Sequence, residues 1–393
     1  MTSPQTLVPE IRFEGFSDPW KQRKLGDVLK YEQPQAYIVE STEYDKKNKT
    51  PVLTAGQSFI LGYTDEEFGI KEASKKSPVI IFDDFMTTTH YVDFPFKIKS
   101  SAMKLLTVRD EKKDDFYFSY IALDNIDYSV QNHERHWISK FADFNVLMPS
   151  YEEQSKIGEF LREIDNLIIL HQRKYDRLKN VKKSMLEKMF PRNGVNVPEI
   201  RFAGFTNAWE QRKWSNTVDI STDMVDPKTG LYDELPHVAP GNIESFTGRL
   251  FDNVKLVKDE NLISGKFRFS AGDIIYGKIN PQLGKYVFAA FSGLTSADAY
   301  VLNAKNGIDQ KFLYAVLQTK DFFDYSVSVS KRSGMPKINR DELNAYSFAA
   351  PSTAEQAKIG SFLLGIDNLI TLHQCKCDKL KDLKNSLLRK MFV

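Results

Sequence analysis

The residues of this chain best equipped for metal or nucleophilic chemistry are six histidines, His90, His133, His136, His171, His237 and His373, and two cysteines, Cys375 and Cys377. Their spacing does not gather them. His133 and His136 come closest to a ligand pair, but no third ligand stands beside them at helical spacing. The cysteines lie two positions apart in a helical pattern and point to different sides, so they staple nothing, which suits a reducing cytosol. Asp110–Lys112 and Asp226–Lys228 each spell Asp-x-Lys, a fragment of a nuclease centre, without a paired acidic residue upstream. Phosphate-cradling loops are missing: Gly277 and Gly284-Lys285 have the wrong spacing for a Gly-x-Gly-x-x-Gly or Walker-type turn. There is no Gly-x-Ser-x-Gly elbow. A methyltransferase-like Asn-Pro-Pro-aromatic signature is absent, and Asn280-Pro281-Gln282 reads as a lone turn. The sequence predicts a chain that is not by itself an enzyme and that holds no metal or cofactor.

Binding chemistry is better represented. Thr87, Thr88, Thr89, His90 and Tyr91 follow a strand-like run, Val79–Phe82, and lead to Lys99 and Ser100. Hydroxyls, a histidine and aromatic edges suit base edges and phosphates. A second polar cluster, Asn132, His133, Arg135 and His136, offers amide and guanidinium groups. Further on, Tyr276, Lys278 and Asn280 occupy the corresponding place after a strand-like Ile274-Ile275. Lys331, Arg332, Ser333 and Lys337 form a Gly/Pro-containing loop with three cations. Each cluster could equally be a solvated turn, but their occurrence at matching positions in two halves of the chain argues for a shared role.

Those halves are a duplication. Residues 9–24 (PEIRFEGFSDPWKQRK) and 198–213 (PEIRFAGFTNAWEQRK) match at eleven of sixteen positions. Residues 149–190 and 351–392 match at 27 of 42, at an offset of 202. The regions between, about 25–148 and 214–350, barely resemble each other. A faint skeleton survives: Ile80-Ile81-Phe82 echoes Ile274-Ile275-Tyr276, and Asp127-Tyr128-Ser129-Val130 equals Asp324-Tyr325-Ser326-Val327. Each quartet follows an aromatic-rich helical stretch.

The repeated tails predict long helices. Ser150-x-x-Glu153 and Ser352-x-x-Glu355 read as capping boxes just after a proline. Seam positions then step by three and four: Ile157, Leu161, Ile164, Ile168, His171, Tyr175, Leu178, Lys182, Met185 and Met189 in one copy. The other copy gives Ile359, Leu363, Ile366, Ile370, His373, Cys377, Leu380, Lys384, Leu387 and Met391. A 3.5-residue period over about five heptads is a coiled-coil seam, with the two histidines as polar contacts that set register. Paired antiparallel, as pseudo-twofold symmetry requires, helices of about 35 residues form a rod of roughly 52 Å with a globular domain at each end. The same symmetry brings Pro9 near Val393. The expected organisation is a first globular domain with its leader at 9–148, a helix at 149–190, a linker at 191–197, a second domain at 198–350 and a second helix at 351–393. The fold class is α+β.

Composition narrows the partner. The 393 residues carry 54 Lys+Arg against 52 Asp+Glu, a formal charge of +2, which taken globally argues against a strongly basic nucleic-acid binder. Locally the balance shifts: residues 173–190 hold seven Lys/Arg against two acids, and 375–392 hold six against two. Such segments meet solvent, phosphates or an acidic partner. The N-terminus shows no secretory pattern and no apolar run approaches 18 residues, so a cytoplasmic protein is expected.

Two leaders of the form PEIRF-x-GF-x-x-x-W-x-QRK and two tails of the form P-S-x-x-EQ-x-KIG-x-F-x-x-x-IDNLI-x-LHQ resemble the specificity subunit of type I restriction–modification systems. Gly272–Pro281, Gly334–Asn339 and His90–Phe96 resemble its target recognition domains. The resemblance covers residues 9–393. It implies a non-catalytic DNA-reading subunit whose two recognition domains each read half of a split target. The paired helices would set the spacing and dock two methyltransferase subunits, and motor–nuclease subunits would join for cleavage. S-adenosylmethionine would belong to the methyltransferase, which flips the adenine, and ATP and Mg²⁺ to the motor. A coiled-coil scaffold without sequence readout and an Asp-x-Lys nuclease are the competing readings.

Overall fold

The computed structural model describes residues 8–54, 58–130, 135–192, 194–331 and 334–392. It is α+β, and the chain divides into two units. The first comprises residues 1–169 with 378–393, and the second residues 170–377.

Both units are built around one recurring sheet. In the first, strands run in the order Leu29–Glu32, Met103–Val108, Val79–Asp83, Thr89–Val92, all antiparallel. In the second, Val218–Ile220, Ala299–Ala304, Ile274–Gly277 and Tyr286–Phe288 repeat that order. The faint sequence skeleton is thus the third strand of each sheet. Its alternation has a physical cause, because successive side chains face opposite sides and both sides are covered. Ile80 and Phe82 enter a core with Trp20, Phe118 and Leu161, while Ile81 joins Leu53, Val92 and Phe96 on the other face. Likewise Ile274 and Tyr276 pack with Trp214, Phe312 and Phe322, and Ile275 with Val238, Phe269 and Val287. Beyond the shared sheet the units diverge: among the described residues the first unit adds a three-stranded sheet and the second a five-stranded one.

The duplicated segments hold each unit together. Leader strands Lys21–Lys24 and Glu210–Lys213 pair with Asn145–Met148 and Ser347–Ala350, just before the long helices Tyr151–Lys188 and Thr353–Met391. Arg12 forms a two-pronged ion pair with Glu153, at 2.8 and 2.6 Å, and Arg201 does the same with Glu355. Both glutamates are 1% exposed. The capping-box expectation is therefore corrected in part: Ser150 Oγ accepts from the Glu153 N–H, but the carboxylate is taken by the leader arginine. Gln154 accepts from the Asp115 N–H and donates to the Lys113 and Pro149 carbonyls, and Gln356 repeats this with Asp309, Gly307 and Pro351. At Gly158 a Cβ would collide with Asp115, which caps the helix Phe116–Asp124. At Gly360 it would collide with the first turn of Gln310–Leu317.

The long helices run antiparallel within each unit. Asp165 meets Lys384 at 2.7 Å in the first, and Lys182 meets Asp367 in the second, where His171 and His373 also face each other with Nδ1 atoms 2.8 Å apart. The lysines of the 3,4-spaced positions are thereby explained as cross-helix partners of the IDN aspartates. Ile157, Leu161 and Ile164 are buried in the first unit, as are Ile359, Leu363, Ile366, Ile370 and Cys377 in the second. Ile168, Tyr175, Leu178 and Leu380 are half-buried.

Each long helix begins in one unit and ends in the other. Phe392 stacks on Phe118 beside Trp20, and Phe190 stacks on Phe312 beside Trp209. The Ile11 N–H donates to the Lys390 carbonyl, as Ile200 does to Lys188, so the leader follows the helix end identically in both units. Val393 lies outside the described residues, but the leader is next to the residues that precede it.

Candidate nucleic-acid interface

In the second unit the two loops singled out from sequence come together. The Asn280 N–H donates to the Pro336 carbonyl at 2.7 Å, and Ile338 donates to the Lys278 carbonyl at 3.0 Å, with Ile279 opposite Lys337. Asn280 takes the left-handed conformation, φ +51°, that lets the chain turn into Pro281–Leu283. Tyr300, on the neighbouring strand, donates to the Ile338 carbonyl and carries two cations over its ring, Lys278 at 5.2 Å and Arg340 at 5.5 Å. Arg340 is anchored by bonds from its guanidinium to the Ile220 and Ser221 carbonyls, both 2.7 Å. Burial holds the Lys278 ammonium below its ordinary range. Nearby Lys337 and Arg340 push the same way, and Asp298 opposes them. Lys278 and Lys337 on the paired loops, with Arg340 at the start of the helix Arg340–Ala345, leave a local field that favours an approaching anion.

Of the residues named from sequence, Lys278, Asn280 and Lys337 are brought together here, and Arg340, Tyr300 and Asp298, which the sequence did not single out, stand beside them. Arg340 stands one residue beyond the Gly334–Asn339 stretch, and nothing in its sequence neighbourhood distinguishes it from the chain's other arginines. Tyr276 requires correction. It is 3% exposed, sits edge-on to Phe322 at 5.6 Å, and burial pushes its hydroxyl up to about 12, so it builds the core and presents nothing outward. Lys331 ends the helix Lys320–Ser330 and is exposed, while Arg332 and Ser333 lie outside the described residues.

In the first unit the corresponding loop is a tight hairpin. Asp83 Oδ1 accepts from the N–H groups of Phe85 and Met86, and Thr87 turns the chain at φ +60°. Met86 and Thr88 are exposed at its tip. Thr89 donates to the Asp124 carboxylate. His90 stacks on Phe59 at 4.0 Å, and burial holds it below the ordinary imidazole range, so it presents a neutral ring at neutral pH. Tyr91 packs among Phe116, Tyr117 and Tyr120. Lys99 lies 5.8 Å above the Tyr44 ring, with Ser100 exposed beside it.

Arg135 is exposed, but His136 is not. Its backbone N–H donates to the Asp84 carbonyl and its ring lies against Tyr128, fully buried, so it too is corrected from a surface contact to a core residue. Asn132 and His133 lie outside the described residues.

The two Asp-x-Lys triplets are ordinary turns. Asp110 Oδ1 accepts from the Lys112 N–H and Asp226 Oδ1 from the Lys228 N–H, both at 3.0 Å. Among the described residues no group of three or more His, Cys, Asp or Glu is arranged to hold a metal ion. No helix among them is long and apolar enough to cross a membrane.

Residues 17–180 and 224–382 match the family described as the type I restriction modification DNA specificity domain. The type I restriction enzyme EcoR124I/EcoR124II specificity subunit of Escherichia coli is 42% identical over 152 residues, a span that covers 37% of each chain. The EcoDI specificity subunit of the same species is 25% identical over 379 residues, covering 86% of this chain and 79% of that one. A crystal structure of a type I restriction–modification system S subunit from M. genitalium shares the fold, with a TM-score of 0.73 at 14% identity over 98% of this chain and 99% of that one.

Proposed function

Because the chain belongs to the type I restriction–modification DNA specificity family and is a specificity subunit, we propose that it reads a bipartite DNA target through two non-equivalent surfaces. The second unit does so with Lys278, Asn280, Lys337 and Arg340. The first uses the hairpin Thr87–Tyr91 together with Lys99, Ser100 and Arg135. The observation that carries this reading is the meeting of Lys278–Asn280 with Pro336–Ile338 under three cations, on the same sheet frame that carries a quite different loop in the first unit. One frame with two unlike readers suits a target whose halves differ in sequence. Base edges would be read by the exposed side chains, and phosphates held by the cations.

The paired helices would fix the distance between half-sites. They also leave the same apolar positions exposed in both copies: Leu167, Leu170 and Val181, repeated as Leu369, Leu372 and Leu383. That repetition suits two copies of one partner, a methyltransferase subunit, with motor–nuclease subunits joining for cleavage. In this reading S-adenosylmethionine, ATP and Mg²⁺ are used by those partners, the assembly is a nuclease and adenine methyltransferase, and the chain works in the cytoplasm. Methylome sequencing of cells expressing the chain with its methyltransferase partner should return one split motif with unlike halves. A continuous motif, or no motif alongside undiscriminating binding to random duplexes, would overturn the reading.

A further inference from the structure

The second unit holds a cavity of about 460 Å³ that DNA reading does not use. Its size lies within the range of small-molecule sites. The floor is Tyr276, Tyr286 and Phe322, all nearly fully buried, and Phe190 and Phe323 add aromatic walls. One polar group there is unspent. The Gln318 amide nitrogen donates to the Tyr314 carbonyl and to the Asp367 carboxylate, both at 3.3 Å, while its buried Oε1 has no hydrogen-bond partner among the described residues. A buried acceptor without a donor is costly, and a bound N–H or O–H would relieve it.

The opening has its own character. Phe246 is half-exposed there, set edge-on to Phe323 at 5.6 Å and held at φ +63°, a conformation that non-glycine residues rarely adopt and that is retained where surroundings enforce it. Lys179 and Lys183 stand exposed at the rim. Lys320 pairs with Asp324 and Arg192 with Glu187, while Asp321, the one lining carboxylate without a cation among the described residues, accepts from the Tyr346 hydroxyl. Lys179 lies over the Tyr175 ring, and Lys183 forms no ion pair among the described residues.

We propose that this cavity binds a small planar aromatic anion. The ring enters between the aromatic walls, a ring N–H donates to Gln318 Oε1, and the anionic group meets Lys179 and Lys183. The proposal is independent of the DNA reading and survives its failure.

Indole-3-acetate carries all three features and serves as the probe, titrated calorimetrically into the full chain. It should bind one per chain. Indole, without the charge, should bind about threefold more weakly or worse, since a partly exposed ion pair is worth a fraction of a decade in affinity. 1-Methylindole-3-acetate, without the N–H, should bind about fivefold more weakly, as expected for a lost buried hydrogen bond. Lys179→Glu with Lys183→Glu, both on the exposed helix surface, should weaken the acid and leave indole unchanged. Thr247→Trp at the opening should weaken both. No binding of the acid, equal binding of all three probes, or an unaltered Kd in both variants would overturn the proposal.

Discussion

At the residue scale, the cations around Tyr300 separate affinity from specificity. Lys337→Ala should weaken duplex binding for all sequences alike and lower the slope of log K against log salt by about 1, as for one lost phosphate contact. Filter binding of the complex at several salt concentrations measures this, and an unchanged slope would remove Lys337 from the phosphate set. The histidine pair makes a separate prediction. Burial, then Lys376 and Lys174, hold His171 below the ordinary imidazole range; burial, then His171 itself and the same lysines, do so for His373. With folded values depressed, the unfolded chain binds protons more readily. This contribution is therefore intact above about pH 6.5 and is lost as pH falls through the folded values. Thermal melts should drop between pH 7.5 and 5.5, and His171→Leu with His373→Leu should flatten that drop. A parallel pH profile in the double variant would contradict it. The sequence revealed which polar residues recur but not which are exposed: His136 and Tyr276 resemble readers by type and neighbourhood, and only the packing of Tyr128 and Phe322 against them shows otherwise.

At the element scale, the repeated motif is a docking code between helix and globular part. Gly158 and Gly360 admit the capped first turns of Phe116–Asp124 and Gln310–Leu317 with no room for a methyl group. Gly158→Ala and Gly360→Ala should each cost about 1–3 kcal/mol, the usual penalty of overpacking, although alanine is the better helix former; urea denaturation reads it, and a stabilised variant would refute the close approach. Arg201→Met should cost about 3 kcal/mol by stranding Glu355, and adding Glu355→Leu should recover most of the loss. In the DNA-reading proposal, one heptad inserted into both helices should change the spacer and keep both half-sites, which methylome sequencing would detect. Helix length and the 3,4 spacing were readable because a repeated apolar period leaves few alternatives. Local identity was a poorer guide: Asp127–Val130 is irregular whereas Asp324–Val327 lies in the helix Lys320–Ser330. Three more residues precede the second quartet, room enough for Thr319 to cap a new helix by accepting from the Phe322 N–H.

At the scale of the whole molecule, the duplication was plain in sequence, but the ownership of the helices was not. Similarity between copies pairs each helix with the domain before it, whereas the contacts give its second half to the other unit. Removing residues 378–393 should therefore expose the core of the first unit, costing well over the ~3–5 kcal/mol of a single buried aromatic, and spare the second. Hydrogen exchange should show protection lost across residues 8–169 and retained across 170–377, and uniform loss would argue against this division. The same arrangement imposes an order on synthesis. The second unit is one unbroken stretch, complete once residue 377 has left the ribosome, while the first waits for Leu380, Leu387, Met391 and Phe392. The domain made first is the last to close, and until then its Trp20 and Phe118 lack the aromatic ring that covers them.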